Sequence, residues 1–582
     1  MKGYNVKHLL QYLKKYRRDC VLAPLLKLLE SCFELFVPLV IAYAIDEGIY
    51  GGKSEAITNS FWLLALLAAV GFGAALAAQY FAAHAAVGFA ANVRKSLFEK
   101  LLSLSAKDVD QMGSTTMITR MTSDVQGLQN GVNLTLRLFL RSPCIVFGAM
   151  IMAFTVDADS GWIFVGVIPI LAVIVFGIML ITVPLHKKVQ KGLDALMARL
   201  RSNLNGVRVL RAFRQEKEQE NAFQRENTEL KKRQLKEGRY SSLTAPLTFL
   251  VINLATLLLI YTGSLQIKHG DLTAGQVVAL YNYMAQILVE LVKLANLIVT
   301  MTKAKACGDR VWAVLALPED DLTRRIENAE ENLPDCPDCA VELQNVGLYF
   351  DKNAEPCLQN ICLKAKKGQT VGIIGGTGAG KSALVNLIPR FYDASAGSVF
   401  VLGKDVRAYE PKELRRHIGI VEQKCRLFAG TIRENLLFGG KTASDEELWN
   451  ALRIAQADRV VTEKGGLDAK VEQGGRNLSG GQRQRLTIAR ALVGSPEIVI
   501  FDDSTSALDF LTDAALRSAL QTLTDTTVFI VSQRTASIRH ADTILVLEEG
   551  KAVGVGGHGE LLENCNVYRE IYDSQFKAGD EQ

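Results

Sequence analysis

Six long apolar segments constrain the fold most strongly, because each is long enough to cross a lipid bilayer. The hydrocarbon core is about 30 Å thick, and a helix that rises about 1.5 Å per residue needs about 20 residues to span it. The sequence therefore predicts an all-α transmembrane domain of six helices. The segments are residues 21–45, 61–87, 134–156, 162–185, 243–267 and 274–299.

Basic residues are distributed unevenly over the connections between these segments. The links after the second and fourth segments are long and basic, whereas the other three are short and carry few cations, such as Lys53 and Lys268. Basic loops remain on the cytosolic side of a membrane. We therefore expect a multi-pass protein of the cell membrane with both termini in the cytosol. The link after the fourth segment includes Lys187, Lys188, Lys191, Arg199, Arg201, Arg208, Arg211 and Arg214.

The two long links have the composition of helices rather than loops. Residues 92–105 and 186–238 contain few helix breakers and keep apolar residues at helical spacing. We expect the membrane helices to continue through them into the cytosol. Two turn-like stretches, 106–115 and 205–216, would then lie farthest from the bilayer; the simplest interpretation of each is a solvated helical hairpin.

A second, soluble domain is indicated by the change in composition after residue 315. Hydrophobic residues make up 49% of the chain and charged residues 22%, so apolar and polar material must be segregated along it. We expect a transmembrane domain over 1–315, a linker over 316–340 and a third region over 341–582. That region alternates β-rich runs with helical segments, which predicts an α/β domain with a mainly parallel core sheet. The clearest strands are 370–374, 497–501 and 527–531.

The ten cysteines are scattered, and the closest pair is Cys336 with Cys339. A zinc site needs a second pair of ligands at suitable spacing, and the sequence offers none. We therefore expect free cytosolic thiols at both positions.

A glycine-rich run follows the strand at 370–374 and precedes a helical segment. It has P-loop spacing, in which glycine backbones approach phosphates, Lys381 reaches the β- and γ-phosphates, and Ser382 can ligate Mg²⁺. This context predicts an ATP-binding site. The run comprises Gly375, Gly376, Thr377, Gly378, Ala379, Gly380, Lys381 and Ser382.

Two carboxylates end the apolar strand at 497–501. Asp502 and Asp503 fit a Walker B motif, in which a strand-end carboxylate contributes to the Mg²⁺ shell. We expect this strand to neighbour the one that leads into the glycine-rich run.

A second glycine pair begins the helix that precedes this strand. A serine and two glycines at a helix N-terminus form an anion site with no phosphate of its own. The run resembles the signature motif of the ABC transporter ATPases, and the resemblance covers the whole chain. It implies that two nucleotide-binding domains pair head to tail, with each ATP between one P-loop and the opposite signature. The residues are Leu478, Ser479, Gly480, Gly481 and Gln482.

The resemblance implies further roles within the nucleotide-binding domain. Gln423 matches the Q-loop, which touches Mg²⁺ and the attacking water, so Ser382, Gln423 and Asp502 would hold the cation, Asp502 through water. Phe350 or the adjacent Tyr349 would stack on adenine. Residues 506–509 match the D-loop and 471–475 the exporter X-loop.

Six helices before one such domain resemble the exporter half-transporters. The implied partner is a second half, and stretches 106–115 and 205–216 would be coupling helices. Outward transport follows from the resemblance alone. The substrate is expected to be an amphipathic or apolar solute, whether drug, lipid or peptide. We expect no nucleic-acid binding, because the net charge is only +5 and no long basic tract with interleaved aromatics occurs.

Two departures from the family pattern affect hydrolysis. Asp503 occupies the position of the catalytic Glu, and its carboxylate should be retracted by roughly 1 Å, a misplacement that can cost about 100-fold in rate. Gln533 occupies the position of the switch His and cannot supply imidazole's proton chemistry. The pattern resembles the degenerate-site subunit of a bacterial heterodimeric multidrug-type exporter, whose partner carries the intact Glu and His. The alternatives are a homodimer with two slow sites and a nucleotide-gated regulatory subunit.

Ionisable residues inside the apolar segments are a weaker signal. Glu30 and Glu34 lie one helical turn apart in the first segment, and Glu290 can pair with Lys293 in the sixth. Such residues are costly in a membrane and usually face a cavity or a partner. Contact with the solute and pairing between helices both remain open.

Overall fold

The computed structural model describes residues 6–105, 108–109, 112–318, 334–350, 355–504 and 508–576. They form two compact units. The first comprises Met1–Leu102 and Gly113–Leu317, and the second comprises Ser103–Met112 and Pro318–Gln582.

Among the residues that the structure describes, the first unit contains six helices long and apolar enough to cross a membrane, as the sequence predicts. Each predicted segment falls within one of them, and we call them the first to sixth spans in chain order. Several continue far beyond the apolar segment, because polar residues with helical spacing follow it. The spans are His8–Tyr50, Ser54–Leu102, Ser114–Val156, Ala158–Asn205, Glu216–His269 and Ala274–Leu315.

The first and third spans change their helical type along their length. A 3₁₀ segment, Val6–Tyr16, leads into the α-helix Arg17–Tyr43 and a π-helical turn, Ala44–Tyr50. The third span consists of Ser114–Thr119, a π-helical turn Arg120–Asp124, Val125–Leu138 and Arg141–Val156. The fifth span consists of Glu216–Ser242 and Thr244–His269, and the short helix Val207–Ala212 precedes it.

Asp46, in the π-helical turn of the first span, contacts the start of the sixth. Its carboxylate accepts hydrogen bonds from Thr273 Oγ1 at 2.5 Å and from the backbone N–H of Gly275 at 2.8 Å. Gly275 has no room for a side chain, since an added Cβ would lie 2.3 Å from the carbonyl oxygen of Ala42. The two helix ends are therefore closely packed and joined by hydrogen bonds.

Buried apolar side chains, small, aliphatic and aromatic, form the core of the membrane unit. Residues from the first, third, fourth, fifth and sixth spans meet in one buried cluster, which includes Leu35, Ala149 and Phe164. Within it the hydroxyl of Tyr283 donates to the carbonyl of Leu35 at 2.7 Å. This bond satisfies a buried polar group that would otherwise be costly.

The two turn-like stretches differ in how much of them the structure describes. In 205–216, the helix Val207–Ala212 is flanked by turns, and Phe213 is 72% exposed. In 106–115, residues 106–107 and 110–111 lie outside the described residues, while 108–109 and 112 are helical. The expected turn in the second stretch is thus present, with one helical segment inside it.

The second unit is built on a ten-stranded mixed sheet. Its strand order is β5-β4-β1-β2-β12-β11-β3-β10-β9-β6, and β7 pairs with β8 separately. The strands β11-β3-β10-β9-β6 run parallel, whereas β5-β4-β1-β2 are antiparallel. The strands are β1 (Cys339–Leu348), β2 (Leu358–Lys366), β3 (Thr370–Gly375), β4 (Ala396–Val401), β5 (Lys404–Asp405), β6 (Ile418–Val421), β7 (Gly430–Thr431), β8 (Lys470–Val471), β9 (Ile498–Asp502), β10 (Thr527–Val531), β11 (Thr543–Glu548) and β12 (Lys551–Gly556).

Two hydrophobic cores cover the two faces of this sheet. Val528 and Ile530 of β10 belong to one core, and Phe529 and Val531 to the other, as the alternation of side chains along a strand requires. The helices of this unit are Lys381–Val385, Pro411–Arg416, Ile432–Leu436, Asp445–Ile454, Asp458–Glu463, Gly480–Leu492, Phe510–Leu520, Thr535–Ile538, His558–Asn564 and Asn566–Phe576.

Cys336 and Cys339 form a disulfide just before β1, so the prediction of free thiols at these positions was wrong. The intervening turn, closed by a 3.1 Å bond from the N–H of Cys339 to the carbonyl of Cys336, brings their Cα atoms to 5.4 Å. That separation suits a bridge. The prediction rested on the expected compartment and ignored this local geometry.

Candidate nucleotide-binding site

The glycine-rich loop begins where β3 ends. Gly378 and Gly380 have φ values of +84° and +93°, which favour glycine, and Gly380 precedes the helix Lys381–Val385. Gly375 has no room for a side chain, because a Cβ there would lie 2.1 Å from the carbonyl oxygen of Leu547. Gly376 and Gly378 face open space instead. The backbone of the loop is therefore accessible to an anionic ligand.

Lys381 lies at the base of this loop and is only 8% exposed. Its ammonium donates to the carbonyls of Gly375 at 2.8 Å and Gly376 at 2.7 Å. Burial lowers the pKa of the ammonium, an effect opposed by the carboxylates of Asp503 and Asp502. The lysine is thus a desolvated cation whose charge a phosphate would compensate.

Asp502 and Ser382 come together although their strands are not neighbours. The Ser382 hydroxyl donates to Asp502 Oδ1 at 2.9 Å. The expectation that β9 lies next to β3 was wrong, because β10 lies between them, paired in parallel with both. Strand order depends on crossover connections that periodicity does not reveal.

The environment of Asp502 fits a hard cation. Burial raises the pKa of its carboxyl, the Ser382 hydroxyl lowers it, and the neighbouring Asp503 raises it again. A carboxylate, a hydroxyl and a nearby side-chain amide are the oxygen ligands that Mg²⁺ accepts. The residues present therefore fit a Mg²⁺ ion held with nucleotide.

Gln423 and Asp503 meet because β6 and β9 are adjacent parallel strands. Gln423 Nε2 donates to Asp503 Oδ2 at 3.4 Å. Asp503 has a φ of +45°, and its backbone N–H donates to the carbonyl of Val531 at 3.0 Å. The backbone of Asp503 is thus fixed against β10.

Gln533 follows β10, the strand between the glycine-rich loop and Asp502. Its side chain is exposed, and its carbonyl accepts from Gln575 Nε2 at 2.8 Å. His540 lines a cavity together with Thr370 and Val528, which begin or nearly begin their strands. It therefore lies at the opposite end of the sheet from the glycine-rich loop and from Gln533.

The two aromatic candidates follow β1, and strand register brings that end of β1 close to the loop. Leu348 pairs with Leu358, whose side chain would lie 2.8 Å from a Cβ on Gly380. Tyr349 and Phe350 come next and are 45% and 40% exposed. Phe350 also packs edge-on against Tyr392, with ring centroids 5.4 Å apart. Both rings thus expose part of their surface near the glycine-rich loop.

The signature residues form the N-terminus of the helix Gly480–Leu492. Ser479 is its N-cap, since the N–H of Gln482 donates to Ser479 Oγ at 3.2 Å and the N–H of Ser479 to Gln482 Oε1 at 2.9 Å. Leu478 is buried, whereas Ser479 and Gly480 are exposed, and Gly481 is partly buried. The polar start of this helix is presented to the surface.

The Q-loop region is tied to the signature helix by two contacts. Cys425 Sγ donates to Gln484 Oε1, and Arg490 donates to the carbonyl of Arg426 at 2.9 Å. The X-loop is joined to the same region, because Gly430 of β7 pairs with Val471 of β8. Of the D-loop match, 506–507 lie outside the described residues, and Asp509 caps the helix Phe510–Leu520.

Sequence reasoning missed two charged residues. Glu422, directly before Gln423, is close enough to raise the pKa of Asp502; its position at the end of β6 could have indicated this. In the membrane unit, Arg141 contacts Glu30, Glu34 and Glu290. Glu290 also pairs with Lys293 at 2.7 Å, as the sequence suggested. The available signal was the position of Arg141 within an apolar segment.

Comparison with known proteins agrees with this architecture. Residues 20–291 match the family model of the ABC transporter transmembrane region, and 358–506 match that of the ABC transporter. An uncharacterized ABC transporter ATP-binding protein of Mycobacterium tuberculosis is 35% identical over 576 residues, which cover 97% of each chain. A putative multidrug export ATP-binding/permease protein of Staphylococcus aureus is 30% identical over 585 residues, covering 98% of this chain and 100% of the relative.

Among solved structures, a bacterial Atm1-family ABC exporter with ATP bound superposes with a TM-score of 0.77. It is 23% identical and covers 96% of this chain and 98% of its own, which shows a shared fold. The chain belongs to the ABC transporter family. It is a half-transporter of the ABC exporter fold, a multi-pass membrane protein and an ATPase coupled to transport. Transporters of this kind work as dimers in the membrane.

Proposed function

We propose that this chain is one half of a heterodimeric ATP-driven exporter. Its own P-loop site binds Mg²⁺ and ATP but hydrolyses slowly, and its signature motif completes a faster site on a non-identical partner. Both termini lie in the cytosol, and the cargo is an amphipathic or apolar solute. The name of the Staphylococcus aureus relative, a putative multidrug export protein, supports outward transport of such solutes.

The observation that carries this proposal is the contrast within one site. The groups that bind nucleotide and cation are assembled: Lys381 is buried at the loop, and Ser382 lies 2.9 Å from Asp502. The groups next to them that would drive hydrolysis are Asp503, one methylene shorter than Glu, and Gln533, which cannot carry an imidazole's proton. The site therefore keeps the groups that bind ATP and Mg²⁺ but lacks the two side chains that would make hydrolysis fast.

Each residue of the site has a role in this proposal. The backbone of Gly376–Ala379 and the Lys381 ammonium bind phosphates, and Phe350 or Tyr349 stacks on adenine. Ser382, Gln423 and Asp502 hold Mg²⁺, which neutralises phosphate charge when bound. Asp503 orients water poorly from its shorter side chain, and Gln533 can donate a hydrogen bond but not a proton.

Restoring the missing groups tests the proposal directly. We expect Asp503→Glu combined with Gln533→His to raise the ATPase rate at this chain's own P-loop site by about 100-fold, the rate lost through a misplacement of about 1 Å. The rate is measured in the co-purified pair with the partner's P-loop inactivated. Asp513→Glu on the helix Phe510–Leu520 is the matched control, because it lengthens a carboxylate outside the site. An unchanged rate in the restored variant would contradict a site impaired by these two residues.

A homodimer with two slow sites is the second candidate. The intact cap formed by Ser479 and Gln482 favours it, because each of two identical chains would supply a complete signature. Substantial solute-stimulated ATPase and vesicle transport by the wild-type chain alone would support the homodimer. Activity that requires a co-expressed second half would support the heterodimer.

A further inference from the structure

Six charged side chains from the first, third and sixth spans form one continuous ion network. Arg141 contacts Glu30, lies 2.8 Å from Glu34 and 3.8 Å from Glu290. Lys27 extends the network at 2.5 Å from Glu30, and Lys293 extends it at 2.7 Å from Glu290. These ion pairs join the three spans to one another.

The network is electrically balanced but unevenly exposed. Its three cations match its three carboxylates when all are ionised. The side chain of Arg141 is 11% exposed and that of Glu290 3%, whereas those of Glu34 and Lys293 are each 40% exposed. One carboxylate and one ammonium therefore form the accessible edge of a buried cluster.

That edge faces a cavity of about 330 Å³ in the membrane unit. Glu34, Glu290 and Lys293 contribute to its wall, and Val37 and Ile41 add apolar surface. Gln286 also lines it, and its Oε1 is a buried acceptor with no hydrogen-bond partner among the described residues. A buried acceptor without a donor is costly, so the cavity wall offers an acceptor that a ligand's hydrogen-bond donor could satisfy.

The outer charges keep unused bonding capacity. Glu34 accepts from Arg141 through Oε2, and its Oε1 has no hydrogen bond within the described part of the chain. Lys293 has three N–H donors and uses one of them on Glu290. An acceptor and a cationic donor are thus available side by side at the cavity.

We propose that this cavity binds the zwitterionic head group of an amphipathic solute, its ammonium at Glu34 and its anionic group at Lys293. Charge balance is the reason: a neutral network inside a membrane accepts a ligand without net charge, whereas a lone ion leaves an uncompensated charge in a low-dielectric site. Val37 and Ile41 contact the apolar part beside the head group. This inference names the solute class within the proposed exporter and rests on that function.

Direct binding tests the proposal without any need for ATP turnover. The purified chain in neutral maltoside micelles is titrated with lysophosphatidylethanolamine, dodecylamine and dodecyl phosphate. We expect the zwitterion to bind about tenfold more tightly than either ion, the scale of one charge-assisted hydrogen bond. Phosphoethanolamine alone distinguishes a free head group from a lipid, and we expect it to bind weakly. Equal affinities for the three amphiphiles would overturn the proposal.

Two neutralising variants give a signature that a merely structural network would not. Glu34→Gln leaves the network one charge positive, so its preference should shift from the zwitterion to dodecyl phosphate. Lys293→Gln leaves it one charge negative, so its preference should shift to dodecylamine. Both side chains are partly exposed, and the gained preference for the opposite ion itself reports that the membrane unit is folded in each variant.

Glu237→Gln is the matched control, because Glu237 is a carboxylate that pairs with His186 at 3.6 Å in a separate cavity of the membrane unit. It should leave all affinities unchanged. A loss of zwitterion binding in this variant, with no shift in Glu34→Gln, would move the site to the other cavity and overturn the proposal. Vesicle transport of an unrelated solute tests the exporter function separately.

Discussion

The Ser382 hydroxyl donates to Asp502 Oδ1 across 2.9 Å and so bridges the ends of β3 and β9 over the intervening β10. The bond places a hydroxyl and a carboxylate beside the buried Lys381 ammonium. Gln533 lies two residues after β10, so it lies between Ser382 and Asp502 in the strand order of the sheet. The carboxyl ends of these parallel strands therefore bring together Ser382, Asp502 and Gln533.

The raised pKa of Asp502 predicts a pH dependence of Mg²⁺ binding. The carboxyl must lose its proton to hold the cation, so protons and Mg²⁺ compete. Since burial raises this pKa above the usual value, competition begins at higher pH than for an ordinary Asp. We expect the gain in ATP affinity that Mg²⁺ provides to shrink as pH falls from about 8 to about 5.

Calorimetric titration of ATP with and without Mg²⁺ checks this expectation. The comparison with Asp502→Asn is essential, because the nucleotide titrates in the same range and contributes equally to both proteins. The variant should show a smaller Mg²⁺ effect and only the pH dependence of ATP itself. Identical profiles in the two proteins would exclude Asp502 from the cation site.

Removing the loop ammonium should abolish most nucleotide binding. Lys381→Ala loses a desolvated charge that compensates phosphate, and we expect ATP affinity to fall by about 100-fold. Lys367→Ala, which removes an exposed lysine just after β2, should bind ATP normally. Equilibrium binding of a fluorescent ATP analogue measures both, and equal affinities would mean that the site is assigned incorrectly.

Stacking on adenine should depend on one of two adjacent rings. Base stacking on an aromatic side chain is worth about 1–3 kcal/mol, so Phe350→Ala or Tyr349→Ala should weaken ATP binding by about tenfold or more. The affected variant should bind inorganic triphosphate unchanged, because that ligand has no base. Each variant serves as the control for the other. If ATP affinity fell in neither variant, other residues would have to bind the adenine.

In a heterodimer, Asp503 and Ser479 serve different sites. Asp503→Asn alters a slow site and should change total ATPase by less than about twofold. Ser479→Ala removes a hydroxyl from the faster site completed by this signature, and loss of such a transition-state contact should cost about 10²-fold. Steady-state phosphate release from the co-purified pair measures both. Equal losses would show that both sites hydrolyse.

The helix Val207–Ala212 and its flanking turns should transmit nucleotide closure to the membrane helices. Phe213, a highly exposed aromatic in this stretch, is the best probe. We expect Phe213→Asp to lower transport per ATP hydrolysed by about tenfold while ATPase persists, the scale of a typical coupling free energy. Reconstituted vesicles with both readouts measure this ratio.

A photo-reactive residue at 213 should also cross-link to an ATP-binding domain, from its own chain or the partner. The photo-reactive residue placed at 235, an exposed leucine position on the fifth span, is the control and should not cross-link to an ATP-binding domain. Equivalent labels within 108–112 test the other stretch. Cross-links that reach only lipid or solvent from both stretches would refute a coupling role.

Local patterns predicted the elements of the fold more successfully than their arrangement. Six spans follow from the length of apolar segments, and the glycine-rich loop follows from positions such as Gly378 and Gly380 that need positive φ. Both signals lie within a few neighbouring residues. The position of β10 between β3 and β9 depends on which strands pair, which no local pattern encodes.

Charge contacts between residues far apart in the sequence could not be predicted from local patterns either. Glu30 and Glu34 were evident as costly residues, but Arg141, more than a hundred residues away in sequence, was not matched to them. The roles of the predicted site residues, from Phe350 to Gln533, remain predictions. Most of them follow strands of one sheet, whereas residues 478–482 begin a helix.

The contact of Asp46 with Thr273 and Gly275 restricts which membrane helices can move apart. The end of its first span and the start of its sixth share two hydrogen bonds and a glycine contact too tight for any side chain. Separating these ends would leave a carboxylate and a helix N-terminus unpaired together. The two helix ends therefore stay together. A pathway for solute release on that side of the membrane unit must open elsewhere, between other helices or between the two half-transporters of the dimer.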